Sequence, residues 1–170
     1  MNVSVIGLGK LGSPLAATIA ARGHTVVGVD VDPNSVALIN QGLPPVSEPG
    51  LEDQLIQARD RLSATIDLAD AVSKTDMTLI IVPTPSGPDG AFSMEYVEQV
   101  IEAIGKALRS KSEFHLVVVT STVMPGSTSE VVVPLLERAS GKRVGVDIGL
   151  CYNPEFIALG SVVKDLLNPD

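Results

Sequence analysis

Along this chain, short apolar runs alternate with longer stretches in which apolar residues return every three or four positions. Val3 to Ile6, Thr25 to Asp30, Leu62 to Thr65, Met77 to Val82, Leu116 to Thr120 and Val146 to Tyr152 are the runs. Most lack polar alternation, which predicts strands buried on both faces rather than on one. The stretches between them predict helices with recognisable ends. Ser13 to Arg22 closes at Gly23. Asp32 caps a helix whose first position is Pro33 and which stops near Gly42. Further helices are expected over Gly50 to Arg59, after Asp67 as a cap, and over Ser127 to Ala139. The longest, Met94 to Arg109 behind a Ser93 cap, sets Val97, Val100, Ile101, Ile104 and Leu108 on one face. Leu43 to Pro49 and Pro83 to Gly90 are too rich in proline and glycine for regular structure. Strand and helix in alternation imply parallel strands joined by right-handed crossovers. The expectation is one α/β domain over residues 1–170, a doubly wound, mainly parallel sheet of six or more strands with helices on both faces.

The first strand runs straight into Gly7-Leu8-Gly9-Lys10-Leu11-Gly12, and Asp30 stands 18 residues past Gly12 at the end of the second strand. In such a Rossmann-type turn Gly7 permits the sharp bend, Gly9 lets backbone approach a pyrophosphate, and Gly12 lets the helix pack close. The phosphates then face the helix's N–H groups and positive dipole end. Asp30 is placed to accept from an adenosine ribose, which selects NAD over NADP because a 2′-phosphate would be repelled. The loop Gly7, Leu8, Gly9, Lys10, Leu11, Gly12 and Asp30 are therefore the expected cofactor-binding residues.

Composition narrows the partners. Apolar residues make up 45% of the 170 and charged ones 19%, enough to fill a core. Aromatics are 3%, so Val, Ile, Leu and Ala must do the filling. The net charge of -8, with no basic stripe, argues against a nucleic-acid partner. An anionic cofactor stays allowed, since backbone N–H groups bind phosphate without net positive charge. No apolar run reaches membrane-spanning length and no charged leader precedes the first strand, so a cytoplasmic protein is expected. One cysteine rules out an internal disulfide, and with His24 and His115 isolated no zinc spacing exists; no metal site is expected.

Ligands of such sheets sit outside the strands' carboxyl ends. The loops after strands four, five and six bring Val82-Pro83-Thr84-Pro85, Ser121-Thr122-Val123-Met124-Pro125-Gly126-Ser127 and Asn153-Pro154-Glu155 to that edge. Each can also be read as an ordinary strand end or helix cap. Glu155 is either a general base, if burial raises its pKa, or a first-turn helix acid. Glu48-Pro49-Gly50-Leu51 reads as a helix start with Glu48 just outside it. Cys151, in an apolar strand, reads more naturally as a small buried hydrophobe than as a nucleophile.

Taken in order, the glycine loop, Asp30, Glu48-Pro49-Gly50-Leu51, Val82-Pro83-Thr84-Pro85, the Ser121–Ser127 loop and Asn153-Pro154-Glu155-Phe156 resemble the N-terminal domain of the UDP-glucose/GDP-mannose dehydrogenases. The resemblance covers essentially the whole chain. It implies oxidation of a nucleotide sugar's C6 alcohol to a carboxylate with two NAD in succession, through a cysteine-bound thioester that water hydrolyses. It further implies that Thr84 and Thr122 contact the cofactor or the catalytic water, and that Glu155 and Thr122 are catalytic, Glu155 as the base of the thioester step. A parent homodimer or higher oligomer is implied as well. Three positions depart from the pattern. Leu159 replaces a second acid four residues after Glu155, Ser35 replaces a cation after the ribose-binding acid, and Lys10 stands where tyrosine is common. The family's Gly-Gly-x-Cys nucleophile segment, its long dimerising helix and its C-terminal nucleotide-sugar domain are not found in these residues. The chain by itself is thus expected to bind NAD without turnover. Ser140-Gly141-Lys142-Arg143 resembles the GDP-mannose branch and Leu167-Asn168-Pro169-Asp170 the UDP-sugar branch, so the sugar stays open. Two alternatives remain: a two-electron dehydrogenase of the hydroxyacid type, and a non-catalytic NAD-binding module.

Overall fold

A computed structural model describes residues 1–87, 92–156 and 158–169. Six strands, β1 (Asn2–Ile6), β2 (Thr25–Val29), β3 (Leu62–Thr65), β4 (Met77–Ile80), β5 (His115–Val119) and β6 (Ile148–Tyr152), form one sheet in the order β3-β2-β1-β4-β5-β6. Every pairing is parallel. Between β1 and β4 the winding reverses, so the loops leaving these neighbours diverge to opposite faces and open a crevice at their carboxyl ends.

Among the described residues seven α-helices cover the sheet: α1 (Gly12–Ala21), α2 (Pro33–Asn40), α3 (Leu51–Ala58), α4 (Leu68–Ser73), α5 (Glu95–Leu108), α6 (Val133–Ser140) and α7 (Val162–Leu167). Helix α1 packs on α3 and α7, and α5 on α4 and α6. The apolar residues divide accordingly. Ala16, Ala17 and Ala20 of α1 lie with Val3, Val5, Val26, Leu51 and Leu55 in one cluster. Val97, Ile101, Ile104 and Leu108 of α5 lie with Val117, Val119, Leu136 and Ile148 in the other. Small residues let α1 approach the sheet closely; the fully buried branched residues of α5 supply bulk, each contributing about 1.5–3 kcal/mol through burial.

Several ends differ from expectation for identifiable reasons. The helix expected over Ser127 to Ala139 opens as a π-helical turn at Thr128–Val132 and becomes α-helical only from Val133. Pro134 has no N–H for the preceding turn, and the wider turn accommodates its ring. Helix α5 begins at Glu95, and Ser93 caps it from one place further out, accepting from the Glu95 N–H at 3.4 Å. Of the loop expected at Pro83 to Gly90, positions 88–90 lie outside the described residues; Ser86 makes one antiparallel bridge to Phe92. Asp32 and Asp67 cap α2 and α4 as expected. Helix α7 was not expected. Cys151, expected to be buried, is exposed, because β6 is an edge strand and its outward positions find no full layer above them.

Candidate cofactor site

At the crevice, the glycine loop is built by contacts that exclude side chains. Gly7 sits at φ +99°, its N–H bonds the Val29 carbonyl at 2.8 Å, and a Cβ there would overlap the Ile81 carbonyl oxygen. A Cβ on Gly12 would overlap the Gly7 carbonyl, which is how α1 comes so near β1. Gly9 faces open space, with nothing within 4 Å of where a Cβ would stand. Gly7 and Gly12 thus have the turn and packing reasons their spacing implied, and Gly9 leaves the loop open to the cleft. The buried Ser13 hydroxyl donates to the Leu8 carbonyl and fixes the loop from beneath. The α1 N-terminus has no side-chain cap and no acid in its first turn, leaving its dipole uncompensated for an anion.

Asp30 follows β2, and backbone holds both its oxygens. Oδ2 accepts the Leu8 N–H at 2.6 Å and Oδ1 the Asp32 N–H at 2.9 Å. Leu8 reaches the site through that N–H alone, its side chain being buried against Gly28. Asp32 is engaged in capping α2, where the Ser35 hydroxyl at 2.8 Å and the Asn34 N–H hold its carboxyl below the usual range. The hydroxyl of Ser35 is thereby turned to Asp32, and this position carries no charge.

A cleft of about 700 Å³ gathers Gly7, Gly9, Lys10, Leu11, Gly12 and Asp30. Its other walls are apolar apart from Gln99 of α5: Val31, Ile66 and Leu68 beside β2 and β3, Val82 and Pro83 after β4, Tyr96 and Val100 on α5, and Leu159 after β6. Val31 is 97% exposed, Ile66 66% and Leu159 59%, a concentration of solvent-facing apolar side chains that marks a ligand surface. Motif reading did not find these walls. The available signal was an apolar residue directly after a strand end, as at Val31 and Ile66.

Thr84, Thr122 and Glu155 lie on the loops after β4, β5 and β6, at the same edge of the sheet but outside the lining of this cleft. Thr84 and Glu155 are half-buried and Thr122 is exposed. Ser121 ties two of these loops together. Its Oγ accepts the Val82 N–H at 2.9 Å and donates to the Val82 carbonyl at 2.8 Å. The Asn153 N–H closes on the Val119 carbonyl at 2.9 Å and seats the third. Among the described residues no group of three or more His, Cys, Asp or Glu could hold a metal ion, and no helix is long and apolar enough to cross a membrane.

Fold and site together define a Rossmann-type dinucleotide-binding domain. Residues 1–170 match the model of the UDP-glucose/GDP-mannose dehydrogenase family, NAD binding domain. The chain belongs to that family, and NAD is its cofactor. It is 48% identical over 167 residues to the GDP-mannose 6-dehydrogenase of Pseudomonas aeruginosa, covering 97% of this chain and 38% of the relative. It is 43% identical over 171 residues to the UDP-glucose 6-dehydrogenase of Haloferax volcanii, covering 100% and 40%. The crystal structure of a ternary complex of the Pseudomonas aeruginosa GDP-mannose dehydrogenase superposes with a TM-score of 0.97 over 99% of this chain and 39% of that one. The chain therefore spans about two fifths of the length of the curated relatives it matches.

Proposed function

We propose that this chain is the cofactor-binding part of an NAD-dependent nucleotide-sugar 6-dehydrogenase, a cytoplasmic enzyme that oxidises a sugar's C6 alcohol to a carboxylate. Bound NAD supplies a hydride acceptor at the carboxyl edge of the sheet. The glycine loop and the α1 N-terminus hold its pyrophosphate, Asp30 accepts from the adenosine ribose, and Val31, Ile66 and Leu68 offer the adenine an apolar wall. Thr84 and Thr122 face the nicotinamide end or the catalytic water. Glu155 draws a proton from that water at the hydrolytic step. GDP-mannose and UDP-glucose, named for the relatives above, are the substrates most in keeping with the chain. Because its single cysteine is the edge-strand Cys151 and no Gly-Gly-x-Cys occurs in it, the chain alone binds NAD without turning substrate over.

The observation that carries this reading is the Asp30 carboxylate, oriented by two backbone N–H groups in the cleft that the glycine loop begins. Calorimetric titration with NAD and NADP tests it. NAD should bind at least about tenfold more tightly, a 2′-phosphate being set against a fixed carboxylate. Asp30→Ala should weaken NAD by roughly ten- to thirtyfold and abolish the preference. Equal binding of the two cofactors by the wild type would defeat the reading.

A further inference from the structure

The wall contributed by Leu159 has an unusual support. Leu159 is 59% exposed, so its own packing does not hold it in the cleft. The turn over residues 158–161, in which Leu159 stands, is tied to another part of the fold. Glu48, just ahead of α3, sends one carboxylate oxygen to the Gly160 N–H at 3.0 Å and the other to the Val162 N–H at 2.8 Å. Among the described residues the turn is closed locally only through Ser161, whose N–H meets the Ala158 carbonyl at 3.1 Å; the Gly160 and Val162 N–H groups go to Glu48 instead. Ser161 is the N-cap of α7 without a capping side-chain bond, its hydroxyl donating instead toward the Ala158 carbonyl and Asp165. Gly160 is left-handed at φ +90°, which shapes the turn so that both amides meet one carboxylate. Below it, Val163 packs 3.3 Å from where a Cβ of Gly50 would stand, so the starts of α3 and α7 are pressed together. Charge-assisted bonds to two backbone donors are strong and directional.

We propose that Glu48 is a positioning residue for the cofactor site: by clamping Gly160 and Val162 it sets Leu159 as a wall of the NAD cleft, without itself touching the cofactor. Glu48 thus does more than lie outside a helix start, as its sequence context suggested. The inference rests on NAD occupying this cleft. It adds that affinity there depends on a contact between α3 and α7, outside the glycine loop.

A double-mutant cycle on NAD affinity tests it, with Glu48→Gln as the conservative variant. A glutamine offers one acceptor where the turn needs two, so NAD should weaken about fivefold, and roughly tenfold in Glu48→Ala. Leu159→Ala should weaken NAD about fivefold by removing apolar contact. In the Leu159→Ala background Glu48→Gln should add less than about twofold, because its effect runs through that wall. Hydrogen exchange at the Gly160 and Val162 amides should quicken in Glu48→Gln without NAD present. A merely structural Glu48 would lower the melting temperature but leave the NAD dissociation constant unchanged, or shift it equally in both backgrounds. Either result overturns the inference. A wild type that fails to bind NAD would instead remove the cofactor reading, and the inference with it.

Discussion

The two ends of this parallel sheet hold opposite solutions to the same problem. At the carboxyl end of β1, backbone groups are kept clear of side chains: Gly9 faces open space and the α1 N-terminus has no cap. At the amino end, polar groups are enclosed and consume one another. His115 opens β5 fully buried, its Nε2 2.8 Å from Thr78 Oγ1, which lies 2.7 Å from Ser4 Oγ. Lys111 Nζ stands 3.2 Å from Nδ1 of the same ring and also donates to the carbonyls of Val72 and Thr75. An ammonium only donates, so Nδ1 must carry the lone pair and Nε2 the hydrogen. The bonds then run one way: Lys111 to His115, His115 to Thr78, Thr78 to Ser4, and Ser4 to the Met77 carbonyl at 3.3 Å. Unspent hydrogen-bonding capacity marks an end meant for a ligand; spent capacity marks an end that holds strands in register. Substitutions at the two ends should therefore separate binding from stability.

The largest break is expected at the open end. Gly7→Ala places a methyl against the Ile81 carbonyl at a positive φ, so β1 and the chain after β4 must part. NAD affinity should fall more than about a hundredfold, since the turn that aims the loop is lost. Stability should fall by about 2–4 kcal/mol. Calorimetry and chemical denaturation measure the two, and near-normal NAD affinity would show that the turn's geometry is not what the site depends on.

At the closed end the effect should be on stability and should depend on pH. Burial, and then the Lys111 charge, push the His115 pKa down from 6.5 to about 4, against the opposing pulls of the Thr75 backbone and Asp76; Lys142 adds to the depression. Folded His115 resists protonation that unfolded His115 accepts. The unfolded state therefore binds more protons between about pH 4 and 6.5, and stability falls as pH drops through that window. With about 1.4 kcal/mol for each pH unit as the upper bound, a loss of about 2 kcal/mol is expected. His115→Gln keeps a side-chain N–H donor but does not titrate, and should flatten that part of the profile while leaving NAD affinity at pH 7 within about twofold. An unchanged slope in His115→Gln would assign the acid sensitivity to other groups.

The same contrast explains what the sequence alone makes legible. The meeting of Gly7, Gly9, Gly12 and Asp30 in one cleft is legible because it depends on local backbone and fixed spacing, and the strand–helix alternation is legible because buried parallel strands leave continuous apolar runs. The roles of His115 and Glu48 are not. His115 is bonded across β4 to β1, from a chain position 37 residues beyond Thr78. Glu48 reaches amides 112 and 114 residues away. Neither spacing repeats any local period, so an isolated histidine and a glutamate before a helix were all the chain could show. Cys151 fails differently: its apolar neighbours predicted burial, but edge or centre is a property of sheet order, which neighbouring residues do not encode.

The smallest effect bears on what the open end is made of. Lys10 is the sole cation among the described residues lining the cleft, and it sits in the loop expected to meet the pyrophosphate. If side-chain charge anchored the phosphates, removing it would be costly. The loop amides and the helix dipole are fixed by the fold, whereas an exposed ammonium on a flexible stem is screened and loses entropy when it binds. Lys10→Ala should therefore weaken NAD only about two- to fivefold in low salt, and the difference should vanish near 0.5 M salt, where the Debye length is only a few ångströms. The glycine loop's contribution should persist there, because backbone donors at contact distance are little screened. A loss beyond about fiftyfold, or one indifferent to salt, would mean that this end of the sheet binds by a charged side chain rather than by the backbone it leaves open.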